Sequence, residues 1–337
     1  MPASSISTLS SLAQSSTPPS SPLSPHGQCG PVLSAAELQA FARDGYLVKH
    51  WFDAPTILAA RTAAERILYG TTFADYLADP AAKPLGDGMN QQPGFGRAEF
   101  PTGETALDSL LTDGLLTAIE NLLGQPPVYL NSHIFARAGS TDRRHSEHPW
   151  QGYHYDHDTY SMLPPSADAA FEAVTASIFL TDVTLQTAPL HVVPGTHRTE
   201  APRHGNNAVE DLRTIPGLPA PVPAIGPAGS ILFYSTYLLH AAVPFIDKRS
   251  QRIFYGFTSA GIGHAAWSRF ATPYRYGMRE HFMPYWDGCG AAQRTYCGWP
   301  APGHPYYTDA TLAALAQRYP RMDLSAYRQA LSPISAG

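Results

Sequence analysis

The chain has 337 residues, of which 44% are hydrophobic and 15% charged, and its formal net charge is −5. This length and composition allow one sizeable hydrophobic core within a single β-rich domain. The acidic balance, with no basic patch along the chain, excludes nucleic acid as an expected partner. No apolar run approaches the roughly 20 residues that span a bilayer, so we expect no membrane partner either.

The cysteines and the N-terminus suggest a reducing compartment. The three cysteines, Cys29, Cys289 and Cys297, form no C-x-x-C pair and are odd in number, so no disulfide framework is expected. The start of the chain lacks the charged and apolar regions of a signal peptide. It also has no lysine or arginine before Arg43, which argues against a mitochondrial presequence. We therefore predict a cytoplasmic protein.

Residues 1–30 are rich in serine and proline. Such a composition does not bury enough apolar surface to offset the entropy of ordering the chain. We therefore predict a disordered tail over residues 1–30 and one folded domain over residues 31–337.

Helical signals dominate the first part of this domain. Ser34 and Glu37 form an S-x-x-E capping box. Asp53, followed by Pro55, is typical of a helix start. The predicted elements are a helix from Ser34 to Gly45, a strand Tyr46–Val48, a helix from Asp53 to about Leu68, a loop over 83–103, and a helix from Leu107 to Leu123.

From Pro127 onwards, short apolar strands alternate with turn signals. This pattern favours a barrel or sandwich over a fold of alternating strands and helices. An aromatic-rich extension over 264–337 is expected to pack against the outer wall of the barrel. The predicted strands are Pro127–Ala138, the segment around His154, Val174–Leu180, Leu190–Val193, Ile231–Tyr234 and Arg252–Phe257, with a long loop over 200–224 and a late helix at Asp309–Arg318.

The segment around His154 carries the most informative pair, His154-x-Asp156. Residues i and i+2 of a strand point to the same side, so one imidazole and one carboxylate share a space. These are two of the three groups of the 2-His-1-carboxylate site of non-haem Fe(II) oxygenases. A rival pair, His145-x-Glu147, lies among charged residues typical of a loop, so we prefer the first pair.

A third ligand has to come from a distant strand, and His240 is the best candidate. It lies in an apolar setting, where the ring nitrogens of a histidine need partners. A core histidine bonded to a backbone carbonyl is the alternative interpretation. His191 and His197 compete, but His197 lies in a Pro-Gly-Thr-His turn, which favours a structural or solvent-facing role.

Arg252 opens the next apolar strand. A buried guanidinium needs an anion, and its fork binds a carboxylate through two hydrogen bonds. The distal carboxylate of 2-oxoglutarate would satisfy it. Arg249 is close enough in sequence to do this instead, and a surface salt bridge is the plain alternative for either arginine.

The order of these motifs resembles a known family. The H-x-D pair precedes a strand ending in Thr181-Asp182, then the run Leu190–His197 with its Pro-Gly-Thr-His turn, then Gly229-Ser230-x-Leu232-Phe233, a histidine and an arginine. Over residues 33–260 the chain resembles the phytanoyl-CoA dioxygenase family. The resemblance implies a mainly β fold with flanking helices, built on a double-stranded β-helix (a jelly-roll, cupin-like barrel).

The resemblance also implies residue roles. By position, His154, Asp156 and His240 resemble the Fe(II) ligands, Arg252 resembles the arginine that binds 2-oxoglutarate, and Asn131 resembles a polar residue that helps to hold it. The expected reaction uses Fe(II), 2-oxoglutarate and O2 to hydroxylate a small molecule and releases succinate and CO2. A cupin-type isomerase or hydrolase, or a non-catalytic binding barrel, is the alternative.

The chain also departs from the family pattern. Thr187-Ala188 stands where the family usually has Asn-Gly, and Ala242 replaces a serine that often contacts 2-oxoglutarate. Halogenating relatives replace the carboxylate ligand with a small residue, so Asp156 argues against halogenation. The residues proposed to contact the substrate are Asp158, Tyr160 and Arg97.

Overall fold

The computed structural model describes most of the predicted domain. The described residues are 33–79, 95–98, 100–140, 153–156, 163, 166, 172–198, 217–261, 286–296 and 299–331. The predicted tail, the rival pair His145/Glu147 and the proposed contacts Asp158 and Tyr160 lie outside them.

The first two helices begin and end where their capping residues predict. Helix α1, Ala35–Asp44, has the full capping box between Ser34 and Glu37, and Gly45 ends it with a φ of 80°. Helix α2, Ala54–Tyr69, begins after Asp53, whose carboxylate accepts a hydrogen bond from the Thr56 amide.

The next stretch corrects one prediction and adds one helix. The single helix predicted over 107–123 is two helices, α4 (Thr105–Asp108) and α5 (Asp113–Leu123). Thr112 separates them because its hydroxyl caps α5 through the Leu115 amide. A short helix, α3 (Phe73–Ala78), comes before them.

Nine strands form two antiparallel sheets within the described residues. The strands are β1 (Tyr46–His50), β2 (Phe95–Ala98), β3 (Pro127–Ala138), β4 (Ala173–Phe179), β5 (Leu190–Val192), β6 (Val222–Ala224), β7 (Ser230–Ser235), β8 (His240–Ala242) and β9 (Gln251–Gly261). The large sheet has the order β1-β7-β4-β9-β3-β2, and the small sheet has the order β6-β5-β8. The prediction of a mainly β fold with flanking helices is confirmed.

Two of these strands lie in segments that were predicted to be loops. Strand β2 lies within 83–103 and pairs with β3, and β6 lies within 200–224 and pairs with β5. Their sequences, Phe-Gly-Arg-Ala and Val-Pro-Ala, carry no alternation of polar and apolar residues. Pairing with a neighbouring strand therefore determines their conformation.

The large sheet buries both faces. On its outer face, Ile178, Ile231 and Tyr255 join a core cluster with Leu115 and Ile119 of α5. The alternate residues point inward and form a second cluster with the small sheet. Its buried members are Phe179, Val183, Val192, Ala224, Leu232, Tyr234, Leu238 and Phe254.

The described aromatic residues of the C-terminal extension form a hydrophobic cluster of their own, and their packing against the barrel wall stays a prediction. They form a separate cluster with helices α6 (Ala291–Tyr296), α7 (Asp309–Arg318) and α8 (Ser325–Leu331). The buried guanidinium of Arg294 crosslinks this region by donating to the carbonyls of Trp286, Cys289 and Asp323. Cys289 forms no disulfide within the described residues. Among the helices described, none is long and apolar enough to cross a membrane.

Candidate metal and co-substrate site

Backbone pairing places the two predicted histidine ligands side by side. The His154 amide donates to the His240 carbonyl at 2.9 Å, and the His240 amide donates back to the His154 carbonyl at 3.0 Å. This pair is an isolated antiparallel bridge, whereas a longer strand was predicted. The two imidazole centroids lie 4.5 Å apart.

Asp156 completes a cluster of three donor groups. Its Oδ1 lies 3.6 Å from Nε2 of His154 and 3.5 Å from Nε2 of His240. One ligand atom from each residue lies within 4.8 Å of the others. Within the part of the chain that the structure describes, this is the only such group of three histidine, cysteine or acidic residues.

The tautomer of His240 suits a metal ligand. Its Nδ1 lies 2.9 Å from the Leu238 carbonyl oxygen, which only accepts hydrogen bonds. We therefore place the proton of the neutral ring on Nδ1, which leaves the lone pair of Nε2 pointing toward Asp156. Histidines that bind metals commonly donate their other ring N–H to a backbone carbonyl, which fixes the orientation of the ring.

Charge also favours a cation at this position. Burial by itself raises the pKa of Asp156, but the charge of His240 and the interactions with both imidazoles lower it well below its ordinary value. Burial lowers the pKa of His240, yet the Asp156 carboxylate raises it above the usual histidine value. Asp156 is therefore an anion at neutral pH, and protons compete with a metal for His240.

The donor set fits Fe(II). Two imidazole nitrogens and one carboxylate oxygen from a single cluster are the ligands of non-haem Fe(II) sites, which keep further positions open. Of the competing histidines, His191 lies opposite Ala241 on β8, and His197 is buried against the carbonyl of Ala42. Neither belongs to the cluster.

Burial distinguishes the two arginines that the sequence offers as candidates for the co-substrate anchor. Arg252 is 4% exposed and lies on the inner face of β9, with its guanidinium carbon 4.3 Å from the Phe254 ring centroid. Its Nη1 donates to the Ala188 carbonyl. Arg249 is exposed in the preceding turn.

Ala188 keeps the backbone conformation that a glycine would adopt easily. Its φ is 57°, and it is the only non-glycine residue with a positive φ in the described part of the chain. An alanine in this left-handed region costs about 1–2 kcal/mol. The departure from the family's Asn-Gly therefore changes the side chain and leaves the carbonyl available to Arg252. Ala242 is buried opposite Leu190 and offers no hydroxyl group.

Two inward-facing residues were missed by the sequence analysis. Arg137 of β3 is the direct cross-strand partner of Arg252 and is 1% exposed. Tyr234 of β7 donates from its hydroxyl to Asp156 Oδ2 at 2.7 Å. Alternation along each strand predicts that both side chains point inward, but it does not predict these partners.

Two further predicted site residues, Asn131 and Arg97, lie on strands β3 and β2. Asn131 faces Thr258 across a register shift in β3, and its Oδ1 is buried without a hydrogen-bond partner within the described residues. That buried acceptor fits a polar role, although the oxygen itself cannot donate to a carboxylate. Arg97 lies on β2 opposite Phe135.

Comparison with known proteins agrees with this architecture. The family model described as Phytanoyl-CoA dioxygenase (PhyH) matches residues 32–251, more than half of the chain. A search of curated proteins finds no match. EctD from S. alaskensis in its apo form is 21% identical, covers 68% of this chain and 78% of its own, and superposes with a TM-score of 0.52. The epimerase SnoN in complex with Fe3+, alpha ketoglutarate and nogalamycin RO is 19% identical, with 67% and 82% coverage and a TM-score of 0.50.

At these sequence identities the two solved structures show only a shared fold. The family assignment rests on the match to the family model. The chain belongs to the phytanoyl-CoA dioxygenase family.

Proposed function

We propose that this dioxygenase-family member uses Fe(II), 2-oxoglutarate and O2 to hydroxylate an unactivated C–H bond of a small molecule, releasing succinate and CO2. The observation that carries the proposal is the convergence of His154 and His240 Nε2 on Asp156 Oδ1, at 3.6 and 3.5 Å. The fixed tautomer of His240 adds to it, because the lone pair already points into the cluster.

Each residue has a defined part in this proposal. The iron would be held by His154, Asp156 and His240. Bound iron and 2-oxoglutarate would together supply the oxidising chemistry. Arg252 would bind the distal carboxylate of 2-oxoglutarate, because the planar fork of a guanidinium matches a carboxylate through two hydrogen bonds. Asn131 would orient the co-substrate through its side-chain amide, whose NH2 group can donate.

The surroundings of the site support chemistry away from water. Phe179 and Phe254 stack on the inner face with centroids 4.9 Å apart, and both belong to the inward cluster that the small sheet covers. A dry interior strengthens the electrostatic interactions that orient a charged co-substrate. Because Asp156 keeps its carboxylate, we propose oxidation of the substrate and not its halogenation.

The same clusters support the finer prediction of the fold. We propose that the two antiparallel sheets are the two walls of a double-stranded β-helix and that residues 31–337 form a single domain. The shared inner cluster and the bridge between His154 and β8 support this arrangement. Asp158, Tyr160 and Arg97 remain proposed contacts for a natural-product, amino-acid-derived or acyl substrate.

Replacing Arg252 tests the co-substrate part of the proposal. In Co(II)-loaded protein under argon, Arg252→Ala should weaken 2-oxoglutarate binding by about 30-fold or more, because losing one partner of a buried charge pair costs about 2–5 kcal/mol. Co(II) binding itself should stay intact. Arg249→Ala is the matched control, since that side chain is exposed.

Titration calorimetry with each variant separates the outcomes. Unchanged 2-oxoglutarate binding in Arg252→Ala would remove this residue from the site. If the wild-type protein binds the metal but releases no succinate with Fe(II), 2-oxoglutarate and O2, an isomerase or hydrolase that uses the same ligands becomes the better account.

A further inference from the structure

The two oxygens of Asp156 contact different partners. Oδ1 lies 3.6 and 3.5 Å from the two histidine Nε2 atoms. Oδ2 instead accepts a hydrogen bond of 2.7 Å from the Tyr234 hydroxyl. One oxygen is therefore directed into the proposed metal site, and the other is held outside it.

Tyr234 is held firmly enough to fix that second oxygen. It lies on β7, between β1 and β4 of the large sheet, with Tyr46 and Thr175 as its direct cross-strand partners. Its side chain is 5% exposed, and its ring meets the His240 ring edge-on at a centroid distance of 5.1 Å. A tyrosine has only two main side-chain torsions, so this packing fixes the position of the hydroxyl.

We propose that Tyr234 is a positioning residue that keeps Asp156 a one-oxygen metal ligand. The inference rests on the proposed function, because it assigns a role within that same site. A carboxylate can bind a metal through one oxygen or through both. Turning the carboxylate to present both oxygens breaks the hydrogen bond to Tyr234, which is charge-assisted and therefore among the stronger ones.

The consequence concerns the open positions of the metal. A second carboxylate oxygen occupies a position that 2-oxoglutarate or O2 needs. Tyr234 therefore contributes to metal affinity by orienting the ligand, and to co-substrate affinity by keeping that position free. Partners of this kind, which hydrogen-bond to a metal ligand, typically change metal affinity or activity by about 10–100-fold when they are removed.

The test compares two single-oxygen deletions. Tyr234→Phe removes only the hydroxyl that reaches Asp156. Tyr255→Phe is the matched control, because Tyr255 is buried on the outer face of the same sheet and its hydroxyl has no hydrogen-bond partner within the described residues. Circular dichroism and thermal unfolding serve as the check that both variants fold.

The readout is Co(II) titration of the metal-free protein, followed by 2-oxoglutarate titration of the Co(II)-loaded protein under argon. We expect Tyr234→Phe to bind Co(II) about 10–100-fold more weakly. Its visible Co(II) spectrum should also change, since band intensity depends on the coordination number, and 2-oxoglutarate should bind more weakly. Tyr255→Phe should match the wild type in all three measurements.

Each outcome decides a separate question. Equal Co(II) affinity and an equal spectrum in Tyr234→Phe and wild type would overturn the inference and leave the proposed function standing. Equal weakening in both tyrosine variants would also overturn it, because the effect would then not depend on Asp156. If wild type binds Co(II) no better than His240→Ala, the proposed function itself fails.

Discussion

His197 is a buried histidine that lies outside the metal cluster. Its Nε2 contacts the Ala42 carbonyl at 3.3 Å, and its Nδ1 is buried without a hydrogen-bond partner within the described residues. Burial and the neighbouring charge of Arg198 lower the pKa of His197 to about 4. A proton on Nδ1 would find no acceptor there, so the folded protein keeps this ring neutral.

The stability of the protein should therefore fall in mild acid. His197 binds a proton near the ordinary pKa of 6.5 in the unfolded chain and only near 4 in the folded chain. The contribution of the neutral ring to stability is therefore fully present above about pH 6.5 and is lost as the pH falls toward 4. From these two pKa values, the free energy of unfolding should drop by about 2 kcal/mol between pH 7.5 and pH 5.

Urea unfolding at the two pH values measures this loss. His197→Gln should lose less stability than wild type over the same interval, because the titrating group is gone. His50→Gln, an exposed position on β1, should behave as wild type does. An equal loss in His197→Gln and wild type would contradict the assignment.

The residues of the metal cluster could be predicted from the sequence, but the residue that hydrogen-bonds to Asp156 could not. His154, Asp156 and His240 stand in recognisable patterns, and His240 is bonded to a carbonyl only two residues away. Tyr234 was not identified, because the residue it contacts lies 78 positions distant in sequence. Only the register of β7 against its neighbours brings the hydroxyl to Asp156.

The end of helix α1 packs closely against the end of β7 and the residues around it. Gly45 has a left-handed φ of 80°, and its carbonyl accepts a hydrogen bond from the Ser235 amide at the end of β7. A Cβ added at Gly45 would lie 2.5 Å from His197 Nδ1 and 2.9 Å from Leu238 Cδ1. Gly70 ends α2 with a similar φ of 69°, but a Cβ there would meet nothing within 4 Å.

The two glycines form a matched pair for mutation. Gly70→Ala should cost about 1 kcal/mol of stability, which is the strain of a left-handed alanine. Gly45→Ala should cost about 1–3 kcal/mol more, because the added carbon overpacks His197 and Leu238. Urea unfolding of both variants gives the difference, and equal costs would contradict the close packing at Gly45.

At the scale of elements, local signals predicted some boundaries and missed others. The caps of α1 and α2 are set by neighbouring residues, so Ser34 and Asp53 were sufficient. Strands β2 and β6 depend on partners elsewhere in the chain. The break before α5 was missed because apolar residues continue on both sides of Thr112.

At the scale of the molecule, two properties were predictable and are confirmed. The order of motifs identified the phytanoyl-CoA dioxygenase family, and this resemblance implied the mainly β architecture with flanking helices that the structure shows. The separate aromatic cluster around Trp286 and Tyr307 was not predicted, because composition alone does not show which surfaces aromatic residues cover. The pairing of His154 with β8 likewise follows from tertiary structure.

The most direct test of the account is an anaerobic titration of the metal-free protein with Fe(II) and 2-oxoglutarate, followed by visible absorption. We predict a weak visible charge-transfer band that needs both additions and saturates at one equivalent of Fe(II). Asp156→Ala should lose the band, because it removes one of the three protein ligands. No band in folded wild-type protein, or an undiminished band in Asp156→Ala, would contradict the assignment of this cluster as an Fe(II)/2-oxoglutarate site.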